Sequence, residues 1–581
     1  MNKPGPMLCM QGQGVAQGVS IGRAVVMTAA ALEVAHYRIA PADVERECAR
    51  LHSAIQTARA ELDHLADNLP PDAPRELGPL LNVHSLLLAD PLLGEDVCTL
   101  IRTQHTNAEW ALSSQGQLLV EQFTVMTDDY LRERGADVRQ VIERVLRVLS
   151  GAPPAMLPTH AEAGPDEALI VVARDISPAD MLRLRDGRFS AFLTDLGGPA
   201  SHTAILARSM NVPAVVGLGL CRSLVRDGDL LAVDGACGAV MVNPSERVLE
   251  QFIARRDAQE RERRALAGLR DMPAQTRDGI AVQLHANIEL PEEAADALHA
   301  GAQGIGLFRT EFLFMGRAQP PGEEEQVQAY SRVLKTMGGR PVTIRTLDIG
   351  ADKTLDSDET VATNPALGLR AIRYCLANPE MFATQLRAIL RASRHGHVRI
   401  LIPMLTSMDE VFATRQALAA AAEQLRAREP DLVPDFTLGA MVETPAVAIA
   451  VEPFAEALDF LSLGTNDLIQ YTLAVDRADR EVAALYDPLH PAILRLISHV
   501  INAGERLDKP VAMCGEMAGD VRLSRLLLGL GLTTFSMHAQ QLPHVKREIM
   551  SAHTTALRYS VASALNRAQR IDPAGLSDGT D

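Results

Sequence analysis

Gly197-Gly198-Pro199-Ala200-Ser201-His202-Thr203-Ala204-Ile205-Leu206-Ala207-Arg208 is where the architecture of this chain first becomes readable. The glycine pair lets the backbone turn tightly and approach a ligand closely. Ser201 has the chemistry of a helix N-cap, and the run behind it predicts a helix that Pro213 stops. Apolar runs flank the motif, Phe192-Leu193-Thr194 before it and Ala214-Val215-Val216 after it, and read as buried strands. Farther out, Ala168-Leu169-Ile170-Val171-Val172 is another such run and Ser177-Pro178 opens a helix. Asp227-Gly228 and Asp234-Gly235 punctuate strands that end near Asn243. With a strand from Ser20 to Met27, these segments predict a compact α/β unit.

His202 falls in the first turn of the predicted helix, where free N–H groups and the positive end of the helix dipole favour an anion. A histidine there suits a phosphoryl acceptor, being neutral near pH 7 and nucleophilic at nitrogen. The competing reading is a structural histidine at a helix start.

Between the first strand and the rest of that unit the texture is helical. From Pro41 to Leu69 the apolar residues fall at Val44, Cys48, Leu51, Ile55, Ala58, Leu62 and Leu65, the spacing of an amphipathic helix that Pro70-Pro71 ends. Further helical stretches are predicted at 76–103, 107–128 and 129–150. The chain therefore divides into an α/β domain from 1–30 and 151–245, an inserted all-α subdomain at 31–150, and a charged linker helix within 246–275 that would serve as a hinge.

From 276 strands and helices alternate: Val282–Asn287, Gly304–Phe308, Val342–Asp348, Val398–Met404, Leu438–Glu443, Phe460–Thr465, Val511–Cys514 and Thr534–Met537. Eight such strands predict a (β/α)₈ barrel over 276–566, and the fold class is multidomain α/β. The Gly/Ser/Asp-rich tail at 567–581 is expected to be disordered.

Composition narrows the partners. The chain has 581 residues, too many for one core, and 47% apolar with 22% charged residues is ordinary for a globular protein. A net charge of −17 argues against nucleic acid and anionic membranes. No apolar stretch is long enough to span a bilayer, and no signal peptide is evident, so a cytoplasmic protein is expected. Seven scattered cysteines form neither a disulfide framework nor a CxxC site.

In a (β/α)₈ barrel the chemistry sits at the C-terminal ends of the strands. Here those ends read Phe308-Arg309-Thr310-Glu311, Ile344-Arg345-Thr346, Met441-Val442-Glu443-Thr444-Pro445, Gly464-Thr465-Asn466-Asp467 and Met513-Cys514-Gly515-Glu516. Singly, each is a solvated strand end; five in succession predict a site. Glu443 and Asp467 supply oxygen ligands few enough to leave room for substrate and water, which suits Mg²⁺. Arg309 and Arg345 offer planar forks for phosphate or carboxylate, so a small anion carrying both groups is expected. Cys514 stays mostly protonated near neutral pH and can donate a proton, although a lone cysteine in an apolar run is also an ordinary core residue.

The histidine segment resembles the phosphohistidine motif of the phosphoenolpyruvate-utilising enzymes, and nearly the whole chain is similar to the Enzyme I family of the bacterial phosphotransferase system. The resemblance implies that His202 takes the phosphoryl group of phosphoenolpyruvate on Nε2 and passes it to an HPr-type phosphocarrier protein. Gly306-Leu307-Phe308-Arg309-Thr310-Glu311-Phe312-Leu313-Phe314 and Arg345-Thr346-Leu347-Asp348-Ile349-Gly350-Ala351-Asp352-Lys353 resemble segments whose arginines bind the substrate, implying Arg309 and Arg345. Gly368-Leu369-Arg370-Ala371-Ile372-Arg373 implies Arg370, and Ala474-Val475-Asp476-Arg477 implies Arg477. Glu443 and Asp467 match the magnesium ligands, Asn466 and Asp467 the substrate-side segment, and Cys514 the proton donor. A homodimer formed through the barrel is also implied. The chain departs from the pattern at Ala200, where a hydroxyl residue is usual, at Leu369, where an aromatic is usual, and at Ala351, where glycine is usual. Leu81-Asn82-Val83-His84-Ser85-Leu86 resembles the carrier-docking helices only loosely, and His84 reads as an ordinary helix residue.

Two alternatives stand beside this reading. The dikinases and synthases of the same superfamily need a large ATP-binding domain ahead of the histidine; only 201 residues precede it here, with no GxxxxGK[ST] loop. A phosphorelay regulator would be phosphorylated without sustained turnover, which pyruvate release with excess carrier distinguishes.

Overall fold

The computed structural model describes residues 7–27, 34–70, 73–74, 76, 77–124, 129–151, 168–185, 189–199, 201–315, 317, 319–349, 364–477, 479, 481–566 and 571–576. Residues 1–263 and 264–581 form two compact units.

The first unit opens with β1 (Leu8–Gln11), β2 (Gln13–Ala16) and β3 (Val19–Val26). Five helices follow, α1 (Val44–Asp67), α2 (Leu77–Leu88), α3 (Pro91–Gln104), α4 (Ala108–Thr124) and α5 (Asp129–Ser150). Then come β4 (Leu169–Ala173), α6 (Pro178–Arg185), β5 (Phe189–Thr194), α7 (His202–Ser209), β6 (Ala214–Val216), α8 (Cys221–Leu224), β7 (Leu230–Asp234), β8 (Ala239–Val242) and the charged α9 (Glu246–Gly268). The strand order is β1-β8-β7-β3-β4-β5-β6-β2. β1 and β2 stand at opposite edges although Gly12 alone separates them in the chain. A flat sheet of eight strands at about 4.8 Å spacing could not be crossed by one residue, so this sheet must curl until its edges meet. Gly12 is needed there because a Cβ would lie 2.7 Å from the Val216 carbonyl oxygen.

Alternation along the strands divides two cores. Val171, Ala173 and Phe192 join the helical block in one cluster, with Leu51, Leu62, Leu81, Ile101 and Leu112. Ile170, Val172, Ala191 and Leu193 face the other way, against Cys221, Leu231, Val233 and Val240. This is why β4 reads as a continuous apolar run.

The structure departs from the expected elements in three places. β1 and β2 lie outside the strand expected from Ser20 to Met27, being four residues each and joined through the polar Gln11-Gly12-Gln13-Gly14. The helix expected over 76–103 is two, α2 and α3. Asp90 caps the second by accepting from the Leu92 amide at 2.9 Å, and Pro91 at its first position has no N–H to continue the first. The tail expected to be disordered contains a short 3₁₀ turn at Pro573–Gly575. Ile571 and Leu576 flank that turn and are buried on the barrel core, because two apolar side chains find a partner surface there; residues 567–570 and 577–581 lie outside the described set.

The second unit is a closed barrel of eight parallel strands: β9 (Gln283–Ile288), β10 (Ile305–Arg309), β11 (Val342–Arg345), β12 (Val398–Ile402), β13 (Phe436–Val442), β14 (Phe460–Leu463), β15 (Val511–Met513) and β16 (Thr534–Met537). β16 pairs with β9 from Thr534 against Gln283 to Met537 against Ala286 and closes it. Ile344, Ile400, Ile402, Leu438, Ala440, Val442, Leu461 and Leu463 pack outward in the large core. Leu307, Leu401, Met441, Phe460 and Cys514 form a separate cluster in the lumen. Below them the Arg399 guanidinium lies 4.1 Å from the centre of the Phe460 ring. Among the described residues no helix is long and apolar enough to cross a membrane.

Two stability predictions follow from the lumen. A Cβ at Gly439 would meet the Phe460 ring at 2.5 Å, so Gly439→Ala should destabilise the barrel by about 1–3 kcal/mol, read as a lower denaturation midpoint; an unchanged midpoint would contradict the packing. Burial, with Arg399 as a second cause, pushes the His285 imidazole down to about 4. The unfolded chain therefore takes up a proton that the native barrel refuses, and stability present above about pH 6.5 is lost as pH falls towards 4, by up to about 3 kcal/mol. Urea titrations at pH 7 and pH 5 should show a smaller loss for His285→Gln than for the native chain.

Candidate active site

The two-residue period of the strands delivers the chemistry. The positions that point into the lumen continue upward from Leu307 to Arg309, from Thr343 to Arg345, from Met441 to Glu443 and from Ala512 to Cys514. Each is at or just past the C-terminal end of its strand.

Arg345 is held on two sides. Its Nη2 donates to Glu311 Oε1 at 2.8 Å and its Nη1 lies 3.1 Å from Asp348 Oδ2. Asp348 also accepts from Arg370 Nη2 at 2.8 Å, and Arg370 Nη1 donates to the Tyr471 hydroxyl at 3.2 Å. Burial pushes the Asp348 carboxyl up, but Arg345 and Arg370 outweigh it and hold the group below the usual carboxylate range. Arg309 and Arg477 are more exposed, pairing with Glu289 at 2.8 Å and Glu516 at 3.2 Å. Asn466 donates to the same Glu516 oxygen at 3.0 Å.

Asp348 is also one of an acidic trio. One ligand oxygen from each of Asp348, Glu443 and Asp467 lies within 4.8 Å of the others. Glu443 Oε1 accepts from the Met404 amide at 2.6 Å, and a Cβ at Gly464 would sit 2.9 Å from the Glu443 carboxylate, so glycine makes room for it. Burial first, then the Asp467 and Asp348 charges, push the Glu443 carboxyl well up. Arg345 offsets only part of this, and a divalent cation fits the set.

Cys514 closes the lumen beneath. It is 3% exposed, its Sγ receives a hydrogen bond from Ser462 Oγ at 3.3 Å, and its carbonyl is tied to Asn287 Nδ2 at 2.9 Å. Burial pushes the thiol up to about 11, so it carries its proton throughout the neutral range.

In the other unit, α7 begins at His202, with Ser201 Oγ accepting from the Ala204 amide at 3.3 Å. The turn before the helix is made by Gly197 at φ +101°, a left-handed conformation that side chains disfavour. His202 Nδ1 lies 3.1 Å from Asp137 Oδ1, on α5. His84, on α2, brings its Nε2 to 3.7 Å from that oxygen and its ring centre to 5.8 Å from that of His202.

The comparisons with known proteins match this layout. Family models of the phosphoenolpyruvate-utilising enzymes cover the N-terminal region over residues 11–134, the mobile domain over 165–238 and the PEP-binding domain over 263–554. The chain is 50% identical over 572 residues to the phosphoenolpyruvate-protein phosphotransferase of Cupriavidus necator, covering 97% of each chain. The chain belongs to the phosphoenolpyruvate-utilising enzymes. The similarly named protein of Geobacillus stearothermophilus is 42% identical over 91% of each chain, and that of Staphylococcus aureus 42% over 87% of this chain and 88% of its own.

Within this phosphoenolpyruvate-utilising chain, the residues singled out from sequence separate by unit. Arg309, Arg345, Arg370, Glu443, Asn466, Asp467, Arg477 and Cys514 belong to the barrel unit and His202 to the other. Sequence reasoning gave no role to Glu311, Asp348, Glu289 or Glu516, the carboxylates that hold the arginines. Asp348 stood in the quoted run three residues after Arg345, and only the barrel end shows that it faces Arg370 too. Asp137 was missed altogether, and His84, read as an ordinary helix residue, is 3% exposed beside it. Ala200 and Ala351 lie outside the described residues.

The protonated thiol is directly checkable. At pH 8, iodoacetamide should alkylate Cys514 at least about 100-fold more slowly than the exposed Cys9 and Cys237, as measured by peptide mass spectrometry. Equal rates would show an accessible thiol no less acidic than the exposed ones, contrary to its burial.

Proposed function

We propose that the barrel mouth binds phosphoenolpyruvate, that His202 Nε2 receives its phosphoryl group with release of pyruvate, and that the group then passes from His202 to a histidine of an HPr-type carrier. One observation carries the reading: guanidinium forks, an acidic trio and a protonated thiol converge at the C-terminal end of one barrel in a chain of this family.

Arg309, Arg345, Arg370 and Arg477 neutralise the phosphate and carboxylate of the substrate, with Asn466 orienting an oxygen. Glu443 and Asp467 would hold Mg²⁺, with Asp348 at the edge of the set; when bound, the cation offsets charge on the phosphate. As the bridging P–O bond breaks, its electron pair stays on the enolate oxygen while the Nε2 lone pair forms the N–P bond. Cys514 gives its proton to the methylene carbon of the enolate, completing pyruvate. His202 belongs to the first unit and the substrate to the second, so the reaction requires the imidazole to reach the barrel mouth. We further read residues 31–150 as the carrier-docking block, the barrel as the dimerisation unit and the cytoplasm as the compartment.

Incubation with ³²P-phosphoenolpyruvate tests the assignment. The native chain should become labelled with Mg²⁺ present, and His202→Ala should not; label on that variant would overturn it. Cys514→Ala should retain substrate binding while pyruvate release falls on the order of 10²–10⁴-fold. With carrier in excess, pyruvate should exceed enzyme many-fold, which a phosphorelay regulator would not produce.

A further inference from the structure

α1 and α3 each carry buried cysteine, and the fold brings Cys48 and Cys98 together although 50 residues separate them in the chain. Cys48 is 3% exposed and Cys98 0%. The Cys48 thiol donates to the Cys98 carbonyl oxygen at 3.8 Å, so its sulfur touches the backbone of α3. Cys98 Sγ in turn lies 3.7 Å from Nδ1 of His52 on α1, and that nitrogen is 2.9 Å from the Cys48 carbonyl oxygen one turn earlier. Each sulfur thus faces the other helix at the level of the opposite cysteine.

The chemistry of the thiols agrees with that placement. Burial first, and then a hydrogen bond with the Cys48 thiol, pushes the Cys98 thiol up to about 12. Both residues belong to the core that Leu51, Val97 and Ile101 share. Reduced, the pair packs there as two small apolar groups. A route outward exists beside it: the His52 side chain, which touches Cys98 Sγ, is 44% exposed. A small oxidant therefore needs to pass one imidazole, not a whole helix, to reach sulfur.

We propose that Cys48 and Cys98 are a redox pair, closed by a peroxide to a disulfide that fastens α1 to α3. One sulfur takes an oxygen from hydrogen peroxide and becomes a sulfenic acid, releasing water. The second thiol's sulfur then attacks that sulfur, forming the S–S bond, and the oxygen leaves as a second water. Two sulfurs are oxidised and the two peroxide oxygens reduced; a dithiol returns the pair to the thiol form. The bond closes a loop that holds most of α1, all of α2 and half of α3, so α1 and α3 can no longer part. Where a compartment keeps thiols reduced, such a bond is transient and reports oxidant.

Peptide mapping of the full native chain tests this. The chain is exposed to hydrogen peroxide at pH 8, remaining thiols are blocked with N-ethylmaleimide during denaturation, and the digest is analysed without reductant. The expected product is a cross-linked peptide containing Cys48 and Cys98, lighter by two hydrogens than its two parents and split by a dithiol. Cys221, buried in the other core of the same unit, should be recovered as a blocked thiol. Amide hydrogen exchange in α1 and α3 should slow several-fold in the oxidised chain and return to the native rate with the dithiol, and Cys98→Ser should show no such response to peroxide. Recovery of Cys48 and Cys98 as thiols after the exposed Cys9 and Cys237 have been oxidised overturns the pair, as does a bond from either to another cysteine. A Cys48–Cys98 bond that leaves exchange in both helices unchanged, or slowing in Cys98→Ser as well, overturns the fastening.

Discussion

Arg345 is a guanidinium placed where water scarcely reaches, and the upper end of the barrel is arranged around keeping it charged. A buried cation is tolerated only when carboxylates satisfy its donors, and removing one partner of such a pair costs about 3–5 kcal/mol. Glu311 supplies one oxygen, and the same oxygen accepts the Asp348 amide at 3.0 Å, so the residue that neutralises Arg345 also shapes the turn after β11. That turn sets Asp348 between Arg345 and Arg370. Arg370 then reaches Tyr471, beyond β14. One charge thus ties together segments that are far apart in the chain.

The consequence is an asymmetric mouth. On one side, arginines are already matched by carboxylates, tightly at Arg345 and loosely at the more exposed Arg309 and Arg477. Exposed pairs contribute little to stability, so those two arginines can exchange a protein carboxylate for a substrate anion at small cost. Glu443 meets the charges of Asp467 and Asp348, and Arg345 offsets them only in part, so its carboxyl is pushed up. Cys514 sits in an apolar cluster of the lumen, where burial keeps its thiol protonated.

Much of this was legible in the chain itself. Eight apolar segments separated by helical stretches can form only a few architectures, and polar residues at their C-terminal ends pointed to the barrel mouth. The Ser201 cap and the start of α7 at His202 followed from local chemistry. Failures came where the signal is not local. β1 and β2 owe their existence to edge pairing with β8 and β6. Asp90-Pro91 divides a continuous apolar pattern that periodicity alone reads as one helix. Ile571 and Leu576 look like part of a polar tail until the barrel offers them a surface.

The sequence by itself determined which residues can do chemistry: an imidazole at a helix start, guanidinium forks, two metal-type carboxylates and a thiol at strand ends. Those assignments depend on residue type and short spacing, which the chain states outright. Only the tertiary structure decided which partners tune them. Asp348 between two arginines, Glu443 beside Asp467 and Asp348, and Asp137 against the Nδ1 of His202 are meetings that the tertiary structure makes. Electrostatic energy depends on separation and burial in space, and neither is written in the order of the chain.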